Sequence, residues 1–303
     1  MQIQAAIAKI LDRQDLSLIQ MQQVMRQIMT GEATDAQIAG FLIALRMKGE
    51  SIEEIQGGAE IMRELSTKVE TDASHLVDTC GTGGDGSSLF NVSTASAFVA
   101  AAAGVKVAKH GNRSVSSKSG SADLLEAAGV KLDLTAVQVA KCIEEIGIGF
   151  MFAPAHHGAM KHAIGPRREL ATRTIFNLLG PLTNPASAPN QLLGVFDLVW
   201  VRPMAEVLQR LGSSHVMVVH SSDGLDEISA SAATHVCELK NGEISEYQIS
   251  PEDFGFTSVP LESLSATDPE TSLALVKQSL SDLHSGAANI VCLNAGAAIY
   301  VSG

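Results

Sequence analysis

The chain has 303 residues with 33 acidic against 21 basic side chains, a net charge of −12. That length exceeds one hydrophobic core, so two domains are expected, and the acidic balance argues against a nucleic-acid partner, which calls for a basic face. No run has the length and flanks of a membrane span, the N-terminus lacks a basic-then-apolar leader, and Cys80, Cys142, Cys237 and Cys292 are widely spaced with no C-x-x-C; a cytoplasmic protein with reduced thiols is expected.

The first 65 residues carry helix-start pairs of the capping-box type, Ser17 with Gln20, Thr34 with Gln37 and Ser51 with Glu54, and Gly31 and Gly49 stand where the intervening helices should stop. Ile38, Phe41, Leu42 and Leu45 recur at helical spacing, so residues 1–66 are expected to form an all-helical domain. From about residue 72 the pattern changes to short apolar strands alternating with helices, the signature of an α/β domain over 72–303. Expected strands are His75 to Cys80, Val105 to Ala108, Ile148 to Phe152, Leu192 to Phe196 and His215 to Val219. Asn241-Gly242, between Thr234 to Leu239 and Ile244 to Ile249, marks a hairpin.

Within that domain, Gly81-Thr82-Gly83-Gly84-Asp85-Gly86 lies between the first strand and a helix of small residues, Ser93 to Ala103. Glycines there let backbone approach a ligand, and the N–H groups opening the helix favour an anion. The run ends in neither Gly-Lys-Ser/Thr nor the spacing of a dinucleotide loop. An aspartate inside an anion loop points to a bridging cation or a sugar hydroxyl. From Ser87 to Ala122 there is no acid, and Lys106, Lys109, Arg113 and Lys118 gather in that window, so the polar loop after the second strand reads as a further wall for a multiply charged anion. Asp226 and Glu227, just after the strand from His215, are hard oxygen ligands suited to Mg²⁺. His156, His157 and His162 have no Cys or acid at ligand spacing and read as hydrogen-bonding side chains.

GTGGDG at 81–86, NVST at 91–94, KHGNRSVSSKSGS at 109–121, RREL with the following TRTIFNLLGPLTNP over 167–185, and DGLDEIS at 223–229 together resemble the anthranilate phosphoribosyltransferase family over nearly the whole chain. The resemblance implies a fold of a small helical domain plus a larger α/β domain with a mostly parallel central sheet, a segment near 167–180 packing onto the helical domain, and an active site in the cleft between domains. It implies transfer of the phosphoribosyl group from 5-phosphoribosyl 1-diphosphate to the amine of anthranilate in tryptophan biosynthesis, with Mg²⁺ and a homodimer formed through the helical domain. By motif position, Gly81, Gly84, Asp85, Leu89, Asn91, Val92, Ser93, Thr94, Lys109, His110, Gly111, Asn112, Arg113, Ser114, Val115, Ser116, Ser117 and Ser121 would bind the sugar diphosphate. Ser93, Asp226 and Glu227 would hold Mg²⁺; Lys109, Asp226 and Glu227 would be the catalytic groups; Gly81, Asn112 and Arg167 would contact anthranilate.

Two departures accompany the resemblance. Leu89 stands where the family often has Thr, which removes a hydroxyl from the phosphate loop, and relatives continue for some tens of residues past Gly303, so a truncated C-terminus is expected. A pyrimidine nucleoside phosphorylase-like enzyme and a non-catalytic nucleic-acid-binding relative are the alternative readings. The acidic pair argues against both, since neither needs a cation clamp.

Overall fold

The computed structural model describes residues 1–114 and 118–303. The elements run α1 (Ile3–Leu11), α2 (Leu18–Thr30), α3 (Asp35–Lys48), α4 (Ile52–Glu64), β1 (Val77–Asp78), α5 (Val92–Ala102), β2 (Val107–Gly111), α6 (Ser121–Ala127), α7 (Ala136–Ile146) and β3 (Ile148–Phe152). They continue with α8 (Ala153–His156), α9 (Lys161–Leu170), α10 (Ile175–Leu179), β4 (Asn190–Gly194), α11 (Val201–Arg210), β5 (His215–Ser221), β6 (Thr234–Lys240), β7 (Glu243–Ile249), α12 (Pro269–Ser281) and α13 (Gly286–Ser302). The chain divides into two compact units, Met1–Thr67 with Pro154–Pro185, and Lys68–Ala153 with Ala186–Gly303.

In the first unit, the capping boxes at Ser17/Gln20, Thr34/Gln37 and Ser51/Glu54 all form, and Gly31 and Gly49 cap the ends of α2 and α3. α1 has no such signature: Gln2 occupies its N-cap without a side-chain bond, and the helix is held by burying Ile3, Ala6 and Ile10. The core combines Met21, Val24, Met25, Ile28, Ile38, Phe41, Leu42, Leu45 and Ile55, all essentially inaccessible. The later segment belongs to this unit through backbone bonds such as Thr67 N–H to His156 O at 2.8 Å, through Arg63 Nε donating to Leu182 O at 2.6 Å, and through Leu179 seated against Gly58. His156 Nδ1 lies 2.9 Å from Thr67 O, a hydrogen-bonding role.

The second unit is a seven-stranded sheet in the order β3-β2-β1-β4-β5-β6-β7. The five strands from β3 to β5 are parallel, and β6 and β7 extend the sheet antiparallel. α5 and α13 help to cover one face, where Val77, Val107, Leu192, Met217 and Val219 meet Ala95, Ile290 and Val291; Val139, Ile143 and Met151 pack with Leu76 and Ala108 in a separate cluster. Burial on both sides explains why β5 carries a continuous apolar run from Val216 to Val219. The Asn241-Gly242 turn has positive φ at both residues, 53° and 80°, as a two-residue hairpin of this twist requires.

Strand boundaries differ from the sequence expectation in an informative way. β1 keeps only Val77 and Asp78, because the chain leaves the sheet at once into the glycine loop. β2 begins at Val107 and runs three residues beyond the expected end at Ala108, since Lys109, His110 and Gly111 pair with Phe150, Met151 and Phe152. β4 is shifted to Asn190–Gly194, with Val195 N–H still reaching Val219 O at 3.0 Å. In this order β1 leads to β2 on one side while β4 lies on its other side, so the switch of direction opens a crevice at the carboxyl ends of β1 and β4, where ligands of open α/β sheets bind.

Candidate active site

The glycine loop is pinned at both margins. Thr82 N–H donates to Gly194 O at 2.9 Å, its Oγ1 accepts from Phe196 N–H at 3.0 Å, and Thr79 Oγ1 donates to Ser93 O at 3.1 Å. Gly83, Gly84 and Gly86 adopt φ of 62°, 76° and 79°, a conformation that side chains resist, which is why glycine recurs there. Gly83 N–H donates to Asp226 Oδ2 at 2.8 Å, and Asp85 accepts from Ser87 N–H and Oγ at 3.1 and 2.6 Å.

β2 carries Lys109 into the site. It is 2% exposed, and its Nζ donates to Thr79 O at 3.0 Å, Thr79 Oγ1 at 3.2 Å and Ser93 Oγ at 3.3 Å. His110 is buried and its N–H donates to Asp78 Oδ1 at 3.1 Å. The turn after β5 brings Asp226 and Glu227 beside this lysine. Burial, then the neighbouring Asp85 charge, raises the Asp226 carboxyl to about 7; burial and the Asp226 charge hold Glu227 well above the carboxylate range, against the pull of Lys109 and of Ser93 N–H. Beyond burial, the Asp85 charge raises the pKa of Asp226 and both charges raise that of Glu227, a crowding of carboxylates that a bound cation relieves. The donor set is oxygen only, from Asp226, Glu227 and the Ser93 hydroxyl with Asp85 adjacent, which fits Mg²⁺. Among the described residues no three or more His, Cys, Asp or Glu side chains form a ready metal cage.

Two glycines make room for this pair. A Cβ on Gly194, at the end of β4, would lie 1.5 Å from Asp226 O, and one on Gly81 would lie 3.0 Å from Asp226 Oδ2. Gly194 was not among the sequence candidates; its only signal is a glycine interrupting the apolar run Leu192 to Phe196. Cys80, in the same loop, is raised beyond the ordinary thiol range by burial and by Asp78, and stays protonated.

The basic loop is organised by Asn91, a motif residue, together with Ser119, Ser272 and Asp123, which were not among the sequence candidates. Asn91 Oδ1 accepts from Ser119 Oγ at 2.9 Å and Ser272 Oγ at 2.7 Å, while its Nδ2 donates to Ser119 O at 3.1 Å, so Asn91 ties the start of α5 to the loop and to α12. Asp123 gathers Ser114 N–H and Gly120 N–H, each at 2.9 Å. Arg113, expected to face a diphosphate, instead pairs with Glu126 at 2.6 Å and Asp123 at 3.3 Å and lies 5.7 Å from the Phe152 ring centre. The acid-free window ends at Ala122, and the acids that neutralise Arg113 follow on the next helix. Asn112 Oδ1 accepts from Arg113 N–H at 2.8 Å, and Ser121 Oγ lies so close to Gly111 that a Cβ there would approach it to 2.2 Å. Leu89 and Val92 turn their side chains into the core cluster, leaving only their backbone for a ligand. Thr94 is buried, and its Oγ1 meets no partner among the described residues. Val115, Ser116 and Ser117 lie outside the described residues.

Arg167 belongs to the helical unit, on α9. Its guanidinium stands 4.9 Å from the Phe176 ring centre, burial lowers its pKa, and it makes no ion pair among the described residues. A half-buried cation with an aromatic wall is suited to a planar carboxylate.

Comparison with known proteins places these features in a family. The glycosyl transferase family helical bundle domain matches residues 4–66, and the glycosyl transferase family a/b domain matches residues 73–303. The anthranilate phosphoribosyltransferase of Marinomonas sp. (strain MWYL1) is 67% identical over 305 residues, covering 100% of this chain and 88% of the relative. That of Hahella chejuensis (strain KCTC 2396) is 63% identical, with coverage of 100% and 88%. Among solved structures, anthranilate phosphoribosyltransferase from Thermus thermophilus superposes with a TM-score of 0.92 at 44% identity, covering 98% of this chain and 89% of that one. The Saccharomyces cerevisiae enzyme in complex with PRPP and Mg gives 0.89 at 26% identity, with coverage of 99% and 88%. With both domain types matched in order and identities above 60% along its whole length, the chain belongs to the anthranilate phosphoribosyltransferase family of glycosyl transferases.

Proposed function

We propose that this chain transfers the phosphoribosyl group of 5-phosphoribosyl 1-diphosphate to the amine of anthranilate, giving N-(5-phosphoribosyl)anthranilate and diphosphate in tryptophan biosynthesis. The observation that carries this reading is the convergence of the glycine loop, buried Lys109 and the Asp226–Glu227 pair at the carboxyl ends of the parallel strands. The anomeric C–O bond to diphosphate breaks, the C–N bond to the arylamine forms, and the proton that becomes acidic on that nitrogen passes to solvent. As in other glycosyl transfers, the ribose becomes oxocarbenium-like while charge builds on the departing diphosphate.

The protein's part is positioning and leaving-group stabilisation. Backbone N–H groups of the glycine loop and the α5 start, with Lys109, Asn91, Thr94 and the loop from His110 to Ser121, form the diphosphate and ribose walls; Arg113 contributes its backbone, its guanidinium being held by Glu126 and Asp123. Ser93, Asp226 and Glu227 would hold Mg²⁺, which supplies charge neutralisation at the leaving group. Arg167 pairs with the anthranilate carboxylate, and Asn112 and the Gly81 backbone orient the ring. No strong base is assigned, since the attacking amine is neutral. A homodimer through the helical unit and a cytoplasmic location complete the proposal, supported respectively by exposed Leu11, Ile19 and Met47 on that unit and by four unpaired cysteines. No single helix among the described residues is long and apolar enough to cross a membrane.

Steady-state kinetics of Lys109→Met and Glu227→Gln test the reading. Each is expected to lower kcat/KM for phosphoribosyl diphosphate by roughly 100-fold or more, the scale of a lost electrostatic contact to developing charge. Unchanged turnover at saturating Mg²⁺ would contradict it.

A further inference from the structure

The turn that carries Asp226 and Glu227 is fixed upstream by its own residues. Ser221 N–H donates to Leu225 O at 3.0 Å, Leu225 N–H returns to Ser221 Oγ at 3.0 Å, and Asp223 accepts from Ser229 Oγ at 2.6 Å and from Ser221 Oγ. Downstream, the hold comes from a residue far away in sequence. Asn294 on α13 is 0% exposed and treats the backbone of Ile228, the residue after Glu227, as a pairing partner: Ile228 N–H donates to its Oδ1 at 2.9 Å and its Nδ2 donates to Ile228 O at 2.9 Å. The second Nδ2 hydrogen goes to Ile290 O, one turn back, at 2.9 Å.

α13 otherwise buries apolar side chains such as Ala287, Ile290, Val291, Leu293, Ala298 and Val301; a leucine at 294 would match the size of Asn294 and leave the amide and carbonyl of buried Ile228 without these bonds. A fully buried amide in such a helix persists when every donor and acceptor is matched, and here both polar groups of a single backbone residue are read by one side chain. Ile228 is thereby fixed at its amide and its carbonyl, and Glu227 is one residue, about 3.8 Å, away. Gly194 lies against Asp226 from the other side, leaving no room for that residue to shift toward β4.

We infer that Asn294 is a positioning residue for the Asp226–Glu227 pair, holding from α13 the carboxylates that face Lys109. The inference rests on the reaction proposed above, since it assigns Asn294 to the cation-binding side of that site. Groups that orient metal-binding side chains without touching the metal typically matter by 10–100-fold in metal affinity or activity.

The test compares wild type, Asn294→Leu and, as a control on the same helix, Ile290→Val, with Asn294→Ser taking the place of Asn294→Leu if the latter does not fold. In metal-free protein under conditions of local exchange, Asn294→Leu is expected to speed amide exchange at Ile228 and also at Gly83, whose N–H is bonded to Asp226, by at least about tenfold over the control. The Mg²⁺ concentration for half-maximal turnover is expected to rise about 10–100-fold while KM for anthranilate changes less than twofold. Gly83 exchange and Mg²⁺ dependence that match the Ile290→Val control would overturn the inference and leave Asn294 a packing residue. Wild-type turnover in the same assay reports on the reaction separately: a wild type that does not turn over, with Gly83 exchange still accelerated in Asn294→Leu, sinks the reaction and keeps the clamp.

Discussion

Gly194 illustrates how much a single missing methyl can carry. In Gly194→Ala the added Cβ would have to displace the Asp226 backbone, 1.5 Å away, so the carboxylate turn must move while the sheet can remain. A folded protein by circular dichroism, with activity reduced by about 100-fold or more, is the expected outcome. Asp226 itself predicts a pH effect. Its carboxyl is raised to about 7 by burial and by Asp85, so between its unfolded value near 3.8 and that pH the folded chain binds more protons than the unfolded one. Metal-free stability therefore falls as pH rises through this window, and Asp226→Asn should melt with a flatter pH dependence between about pH 4 and 7. For Arg167, Arg167→Lys keeps the charge and loses the planar fork, and is expected to raise KM for anthranilate by about tenfold or more with kcat less affected.

At the scale of elements, what could be read in the sequence follows local chemistry. The capping boxes at Ser17, Thr34 and Ser51, the Asn241-Gly242 turn and β3 were legible because each depends on residues a few positions apart. The glycine run, Lys109 and the acidic pair were legible as chemistry, and the family motifs ordered them. α1, the extension of β2 through Lys109 to Gly111, and Gly194 were not, since each is set by burial or pairing with distant chain. Arg113 shows the same limit: its charge was visible, while its capture by Glu126 depends on α6 packing back over the loop. A cap does more than end a helix in one case. Glu54, 0% exposed, accepts from Ser51 N–H, Leu16 N–H and Lys48 Nζ, so Glu54→Ala unpairs two backbone amides while Lys48 keeps Asp15 and Gly49 O, and should cost about 1.5–3 kcal/mol in urea unfolding, against about 1 kcal/mol for Ser51→Ala.

Across the whole molecule, the acidic surface and the confined site agree. A net charge of −12 repels polyanions at long range, whereas the substrate's anionic groups meet donors held inside the sheet crevice, so binding is expected to depend on local geometry more than on ionic strength. The proposed assembly predicts sedimentation at twice 31.8 kDa, and the monomer mass would remove the homodimer from the account. The most direct measurement follows anthranilate fluorescence with purified protein. The signal is predicted to fall only when phosphoribosyl diphosphate and Mg²⁺ are both present, with diphosphate released in equal amount, and to persist with Glu227→Gln. A folded wild-type protein that leaves the fluorescence unchanged with both added would contradict the account.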